Sequence, residues 1–122
     1  MATFRRFEDI KAWKKARHVT KNVYRVSRQG EFRKDFALRK QIESASVSIM
    51  ANIAEGHGRR TAREFANHLN IARGSSHEVQ SLLYVAGDLE YIRETEFRAI
   101  YAELAEISKM LLSLARYLRS VK

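Results

Sequence analysis

The sequence contains no cysteine and no proline, and only five of its 122 residues are glycine. Without cysteine the chain has no disulfide framework and no thiolate metal site, which fits a reducing compartment. The absence of proline and the abundance of Ala, Leu, Glu, Arg and Lys are typical of long helices. The composition therefore predicts an all-α protein rather than one built around a sheet.

Long apolar segments are absent as well. The longest uncharged run, SASVSIMANIA at 44–54, has 11 residues, whereas a helix needs about 20 apolar residues to cross a bilayer. The amino-terminal MATFRRFEDIK carries charge too early to hold the apolar core of a signal peptide. We therefore expect a cytoplasmic protein without a membrane partner, and a chain of this length predicts a single domain over residues 1–122.

The formal net charge of +9 arises entirely in the first third of the chain. Residues 1–40 contain 13 Lys or Arg against 4 Asp or Glu, whereas residues 41–122 contain 10 of each kind. A field polarised in this way attracts a polyanion to one side of the molecule. A solvated basic helix that only aids solubility is the alternative interpretation.

Apolar residues recur at alternating steps of three and four in four segments, which is the pattern of amphipathic helices. The four segments predict helices at 8–29, 35–55, 62–90 and 96–120. Since the links between them are short, we expect an antiparallel up-down-up-down four-helix bundle. The second and third helices have more apolar residues than one seam can bury, which predicts a homo-oligomeric interface.

The first predicted helix carries a stripe of basic and titratable residues. Its members are spaced 3, 4, 3, 4 and 3 apart: Lys11, Lys14, His18, Lys21, Arg25 and Arg28. At about 100° per residue they share one face and rise about 5 Å per step. That step is comparable with the spacing of phosphates along a nucleic-acid strand. The stripe therefore predicts salt-dependent, sequence-independent binding to the backbone of RNA or DNA.

The residues that catalysis or metal binding would need are not arranged for either. The four histidines form no HExxH motif, no pair three or four residues apart, and no Glu-x-x-His motif of the di-iron bundles. Nothing marks a nucleophile, although spacing alone does not exclude a Ser-His-Asp triad. We therefore expect a non-enzymatic protein with no metal site and no cofactor.

The stretch ANIAEGHGRRT, at 51–61, joins the second predicted helix to the third. Its glycines and arginines suggest a phosphate-binding loop, but the GxxxxGK[ST] pattern and a preceding strand are both missing. We interpret it as a corner in which Gly56 is a left-handed helix stop and Gly58 gives the backbone freedom. Thr61 and Glu64 then form the capping box that starts the third helix.

Two polar residues of this corner require partners. Asn52 occupies a seam position, where its amide needs hydrogen bonds. Glu55 lies at the carboxyl end of a helix, where the dipole disfavours an anion. We expect a cation beside it, supplied by Arg59, Arg60 or Arg63. These residues are predicted to lock the corner within or between subunits, and direct contact with a ligand is the alternative.

A third glycine, Gly74, falls inside the third predicted helix. The sequence Ser75-x-x-Glu78 that follows it could restart a helix after a break. The heptad nevertheless continues without losing register, which favours a continuous helix. In that helix Gly74 would allow close approach of a neighbouring backbone.

Several motifs occur in the order found in a known family. They are Phe7-Glu8-Asp9 followed by Trp13, then Gln41, SVSIMANIAEGHGR, EFANHLNIARGSSHEV and a closing leucine-rich helix. Over nearly the whole chain they resemble the bacterial four helix bundle protein family, also called the intervening-sequence or S23-like ribosomal protein family. Its members are encoded in insertions within large-subunit ribosomal RNA genes and elsewhere. The resemblance implies an antiparallel four-helix bundle.

The same resemblance has implications for partners. It suggests similarity to the accessory variability protein of diversity-generating retroelements, a basic pentameric barrel associated with nucleic acid and a reverse transcriptase. It thus implies a homo-oligomer, with a pentamer as the expected form, and a protein-interaction scaffold as the alternative function. The chain departs from the family pattern at Met50, where proline is usual, and at Glu43 and Ser44, where basic residues are common. The residues that match the signature are Ser48, Ile49, Asn52, Ile53, Ala54, Glu55, Gly56, Gly58, Arg59, Gly74, Ser75 and Glu78.

Overall fold

The computed structural model describes residues 4–121, which form four α-helices. These are α1 (Lys11–Ser27), α2 (Phe36–His57), α3 (Ala62–Asp88) and α4 (Glu94–Ser120). Short 3-10 turns at Phe7–Asp9 and Phe32–Lys34 precede α1 and α2. No strand occurs between residues 4 and 121, so the predicted all-α class is confirmed. Within the same residues, no helix is both long and apolar enough to span a membrane.

Side-chain contacts show that each helix runs antiparallel to the next, as the short links predict. In every pair of neighbouring helices, residues nearer the carboxyl end of one helix contact residues nearer the amino end of the other. The contacts are Thr20 with Ser46 and Ser27 with Glu43 (α1 and α2), Gln41 with Glu78 and Ser48 with Ser75 (α2 and α3), and Ser76 with Leu104 and Gln80 with Tyr101 (α3 and α4). Since α1 also packs against α4, the four helices close into a bundle.

The core is formed by the heptad-spaced residues of the four helices, called here the seam of each helix, which pack together in one buried cluster. All seven residues of the α3 seam are buried: Phe65, Leu69, Ala72, Ser76, Val79, Leu83 and Ala86. The polar member is satisfied, because the Ser76 hydroxyl donates to the Leu104 carbonyl at 3.1 Å and accepts from Ser108 at 3.1 Å. A buried hydroxyl without a partner would destabilise the fold, so these two bonds make serine acceptable in the seam.

The first helix begins three residues later than the sequence suggests. Phe7–Asp9 forms a separate 3-10 turn, and Ile10 is extended with φ −76° and ψ 120° before α1 starts. The ring of Phe7 meets that of Trp13 edge-on, with 5.1 Å between their centroids. The turn therefore folds back against α1 instead of continuing it.

Gly56 is not the left-handed helix stop that the sequence suggests, and this prediction is wrong. The residue lies inside α2, is buried, and does not have a positive φ. A β-carbon built on it would lie 2.7 Å from Cβ of His68 and 2.9 Å from Cδ1 of Phe65. Glycine is therefore required here by the close packing of α2 on α3, and α2 extends to His57.

The roles predicted for the other two glycines also need correction. Gly58 is the C-cap of α2 with φ −79° and ψ −3°, a conformation open to any residue, so it gives the corner no special freedom. Helix α3 runs unbroken through Gly74 as expected. Nothing lies within 4 Å of a β-carbon built at Gly74, however, so no backbone of the described chain approaches it closely.

Candidate nucleic-acid interface

The six residues of the predicted stripe are all exposed. Five of them lie in α1, and Arg28 follows directly as its C-cap. Their charges are not equally available, however, because some have acidic partners on neighbouring helices and others do not. The stripe therefore divides into two groups.

Acidic residues of α4 lie opposite one flank of the stripe. Arg25 Nη1 is 3.3 Å from Glu96 Oε2, and His18 Nε2 is 3.6 Å from Glu103 Oε2. The second contact becomes an ion pair when His18 is protonated. Arg25 follows His18 by seven residues in α1, and Glu96 precedes Glu103 by seven residues in α4, as expected for antiparallel helices.

A third pair extends this arrangement beside the stripe. Lys15 Nζ lies 2.6 Å from Glu106 Oε1. Lys15 is three residues before His18 in α1, and Glu106 is three residues after Glu103 in α4. The hydrogen bond from Lys15 to Glu106 raises the pKa of the lysine. We call the pairs Arg25–Glu96, His18–Glu103 and Lys15–Glu106 the α1–α4 ladder. The ladder neutralises part of the basic field that the sequence assigned to the stripe.

Arg28 is directed towards Glu43, a side chain of α2 that is only 7% exposed. Arg28 donates from Nε to Oε2 at 3.2 Å and from Nη2 to Oε1 at 3.3 Å, and the Ser27 hydroxyl donates to Oε2 at 2.6 Å. Burial raises the pKa of Glu43, but hydrogen bonds from Arg28 and Ser27 and the charge of Arg39 outweigh it, so the pKa is lowered overall. Arg28 thus stabilises the junction of α1 and α2.

Three lysines of the stripe remain available to an external anion. Lys11, Lys14 and Lys21 are exposed, and the ion pairs of α1 within the described chain involve other residues. Arg17 is also exposed, with its guanidinium 5.9 Å from the centroid of the Trp13 ring. We call Lys11, Lys14, Arg17 and Lys21 the unpaired set. Its members are spaced 3, 3 and 4 apart, so they share one side of α1.

The corner between α2 and α3 contains a continuous chain of polar contacts. Asn52 Nδ2 donates to the Ser48 carbonyl at 2.9 Å, and Asn52 Oδ1 lies 3.3 Å from His68 Nδ1. Arg59 Nε donates to His68 Nε2 at 3.1 Å, and Arg59 Nη2 lies 3.8 Å from Glu55 Oε1. Because Nε2 accepts a hydrogen, His68 carries its own ring hydrogen on Nδ1 and donates it to Asn52. Asn52 and Glu55 therefore both have the kind of partner that their positions require.

The start of α3 belongs to the same corner. The Thr61 hydroxyl oxygen accepts from the Glu64 backbone N–H at 3.1 Å, as expected of an N-cap. The predicted capping box is only half formed, because the Glu64 carboxylate accepts from the Thr61 hydroxyl at 3.0 Å and not from the Thr61 backbone N–H. His68 was missed by the sequence reasoning, although its place directly before the seam residue Leu69 puts it at the edge of the α2–α3 contact. The contacts of the corner are internal, and they hold α2 against α3. Between residues 4 and 121, no group of three or more His, Cys, Asp or Glu side chains could hold a metal ion.

Similarity to known proteins extends over most of the bundle. Residues 8–113 match the family model described as 23S rRNA-intervening sequence protein. The structure also resembles a crystal structure of a protein of unknown function from the S23 ribosomal protein family of Bacteroides thetaiotaomicron VPI-5482, with a TM-score of 0.78 and 28% sequence identity. That similarity covers 85% of this chain and 97% of the other chain. No curated protein matches this chain with significant similarity.

Proposed function

This chain belongs to the 23S rRNA-intervening sequence protein family, and we propose that it is a non-enzymatic protein that binds the backbone of RNA or DNA through α1. The observation that carries the proposal is the unpaired set, whose cations lie along one exposed side of α1 and form no ion pair among residues 4–121. The family description names the intervening sequences of 23S rRNA, where its members are encoded, and no ligand, so the proposal rests on the charges of α1. Similarity in fold supplies no further detail of mechanism.

Binding by such a surface is electrostatic. Each lysine that approaches a phosphate displaces condensed counterions, so affinity falls steeply as salt rises. The helix presents its cations at a fixed spacing, and the contacts require no particular base. We therefore expect binding that depends on charge and salt rather than on sequence.

The test reverses two charges of the unpaired set. In Lys14→Glu/Lys21→Glu, we expect affinity for a labelled RNA to fall sharply and the dependence of log affinity on log salt to flatten by about 1.4 to 1.8. Fluorescence anisotropy at several salt concentrations measures both quantities. Arg25 is left intact, because reversing it would place a second carboxylate beside Glu96 and disturb the ladder as well.

The matched control is Arg60→Glu/Arg63→Glu, which changes the net charge equally at the exposed corner. The control should retain most of the affinity. If both variants lose affinity equally, binding follows net charge and the stripe has no special role. If Lys14→Glu/Lys21→Glu binds like the wild type, the proposal is wrong.

The proposal includes self-association through the outer face of α2 and α3. Large apolar side chains are exposed there, among them Val47 of α2, Ile71 and Val85 of α3, and Leu89, the C-cap of α3. Exposed apolar residues grouped on one face are typical of protein interfaces. Gly74 lies three residues from Ile71 on the same side of α3 and leaves room for a neighbouring subunit. The family resemblance favours a pentamer.

Light scattering after size exclusion tests the oligomer. Ile71→Arg should lower the measured mass relative to the wild type, because it buries a charge in the interface. Ala102→Arg, at an exposed position of α4, should leave the mass of the assembly unchanged. A wild-type protein that is monomeric at all concentrations would remove this part of the proposal.

The competing function is a protein-interaction scaffold, with a reverse transcriptase as the partner that the resemblance suggests. The ladder favours it, since internal pairing leaves less charge for phosphates than the sequence indicates. The two functions differ in what survives purification. A protein partner that stays bound after nuclease treatment and high salt would favour the scaffold, whereas a partner lost under either condition would favour nucleic acid.

A further inference from the structure

An open groove of about 640 Å³ lies between the start of α1 and the carboxyl-terminal half of α4. Its floor is apolar and includes Ile10, Ala12, Met110 and Leu114. Its volume is within the range of about 300 to 1,000 Å³ found for small-molecule pockets. The groove is therefore large enough for a flat organic group.

The groove begins where the α1–α4 ladder stops. Lys11 is seven residues before His18, and Met110 is seven residues after Glu103, so this pair occupies the next position of the ladder. A methionine stands where a further acid would have paired with the lysine. As a result Lys11 has no acidic partner on α4 among the described residues, and it lies at the edge of the groove.

The rim of the groove is positive overall. Lys11 and Lys109 both line it, and neither forms an ion pair within the described part of the chain. Asp9 and Ser113 also line it, so one carboxylate stands against two ammonium groups. An occupant with negative charge beside an apolar face fits this combination.

Aromatic rings from two segments line the groove. Tyr117 of α4 lines the groove and is 49% exposed, so its ring is accessible from solvent. Phe4 lies in the segment before α1, and that segment is attached to α2 because His57 Nε2 donates to the Phe4 carbonyl at 3.0 Å. Exposed rings beside cations are the means by which proteins bind unstacked bases of single strands.

We propose that this groove accepts one unstacked base of a single-stranded nucleic acid whose phosphates lie against Lys11 and Lys14. The inference rests on the proposed function and names its substrate class. The flat face of a base matches the apolar floor and the Tyr117 ring, and the adjoining phosphates match the positive rim. The bases of a duplex are stacked and paired, so none of them is free to enter the groove. Single strands are therefore the preferred ligand.

The experiment compares three labelled probes by fluorescence anisotropy: a single-stranded oligothymidylate, an abasic strand of the same length, and a duplex. The abasic strand has the same phosphates but nothing to stack. The wild type should bind oligothymidylate more tightly than either of the others. Tyr117→Ala should weaken that binding by about tenfold and leave both the affinity for the abasic strand and the salt dependence unchanged.

Two variants separate stacking from other effects. Tyr117→Phe keeps the ring and should retain the affinity for oligothymidylate. Tyr84→Ala removes another exposed ring, on α3 and outside the groove, and should bind all three probes like the wild type.

The outcomes distinguish this inference from the proposed function. If all three probes bind equally and Tyr117→Ala has no effect, the groove does not hold a base, while backbone binding by α1 still stands. A preference for the duplex, or equal losses for the abasic strand in Tyr117→Ala, would also overturn the inference. If no probe binds at all, the proposed function itself is wrong.

Discussion

Gly56 of α2 lies so close to His68 of α3 that a β-carbon on the glycine would be 2.7 Å from the histidine Cβ. An alanine there must push the helices apart or displace His68, which is held by Asn52 and Arg59. We expect Gly56→Ala to lower the free energy of unfolding by about 1–3 kcal/mol. Urea unfolding followed by circular dichroism measures the change.

Gly74→Ala is the matched control in the same pair of helices. Its β-carbon would meet nothing within 4 Å, and alanine is the better helix former by about 0.8 to 1.0 kcal/mol. We expect a small gain in the free energy of unfolding at a protein concentration where the assembly is unchanged. Equal losses in both variants would show that the close approach at Gly56 is not the cause.

Glu43 links pH to stability, because its pKa is lowered in the folded protein. A carboxyl with a lowered pKa contributes stability that is present above its unfolded pKa of about 4.3 and is lost as pH falls through the folded value. We expect Glu43→Gln to lower the free energy of unfolding at neutral pH by about 1.5–3 kcal/mol. The difference from the wild type should shrink below about pH 4.3.

Urea unfolding across this pH range tests the origin of the effect. Glu78→Gln, at an exposed position of α3, should change stability little at any pH. The free energy of unfolding of Glu43→Gln could instead stay below that of the wild type by the same amount through the acid range. The ionised carboxylate would then not be what stabilises the α1–α2 junction.

Glu90 has a φ of 59°, in the left-handed region that favours glycine. It follows α3 at a turn in which the Tyr91 N–H donates to the Ala86 carbonyl at 2.9 Å. A residue with a β-carbon loses about 1–2 kcal/mol in this conformation, so we expect Glu90→Gly to raise the free energy of unfolding by about 1 kcal/mol. Glu90→Ala removes the charge but keeps the β-carbon, and a gain there equal to that of Glu90→Gly would contradict the explanation.

The acids of the α1–α4 ladder pair with basic side chains of α1 that could otherwise contact phosphates. Replacing its three acids by glutamine, in Glu96→Gln/Glu103→Gln/Glu106→Gln, should raise the affinity for single-stranded RNA. It should also steepen the salt dependence by up to about 0.7 for each cation that gains a phosphate. Anisotropy titrations at several salt concentrations measure both changes.

The control for the ladder neutralises three carboxylates elsewhere, in Glu55→Gln/Glu64→Gln/Glu78→Gln. These residues are exposed on α2 and α3 and change the net charge by the same amount. Affinity should rise less than in the ladder variant. An equal rise would indicate that the position of the acids does not matter.

The four helices could be predicted from spacing because burial of one face per helix is a local property of the sequence. The mistake at Gly56 has a different origin. A glycine near a helix end serves equally well as a turn or as a point of close contact, and only the register of α2 against α3 distinguishes the two. That register depends on residues such as Phe65 and His68, which are distant in sequence.

The ladder shows a similar limit for the candidate site. Glu96, Glu103 and Glu106 are visible in the sequence at the same seven- and three-residue steps as Arg25, His18 and Lys15. Their spacing alone does not say which helix they face. The pairing becomes predictable only once α1 is known to close the bundle against α4. Without that knowledge the available charge of α1 is overestimated.

Arg25 already has an anion in the free protein, since Glu96 lies 3.3 Å away. A phosphate that reached Arg25 would exchange one anion for another, and the released carboxylate would attract a cation from solution. That uptake offsets the ions released from the nucleic acid. The slope of a salt titration would then include phosphate contacts at lysines such as Lys14 and Lys21 but not the exchange at Arg25. It would therefore give fewer phosphate contacts than the protein makes.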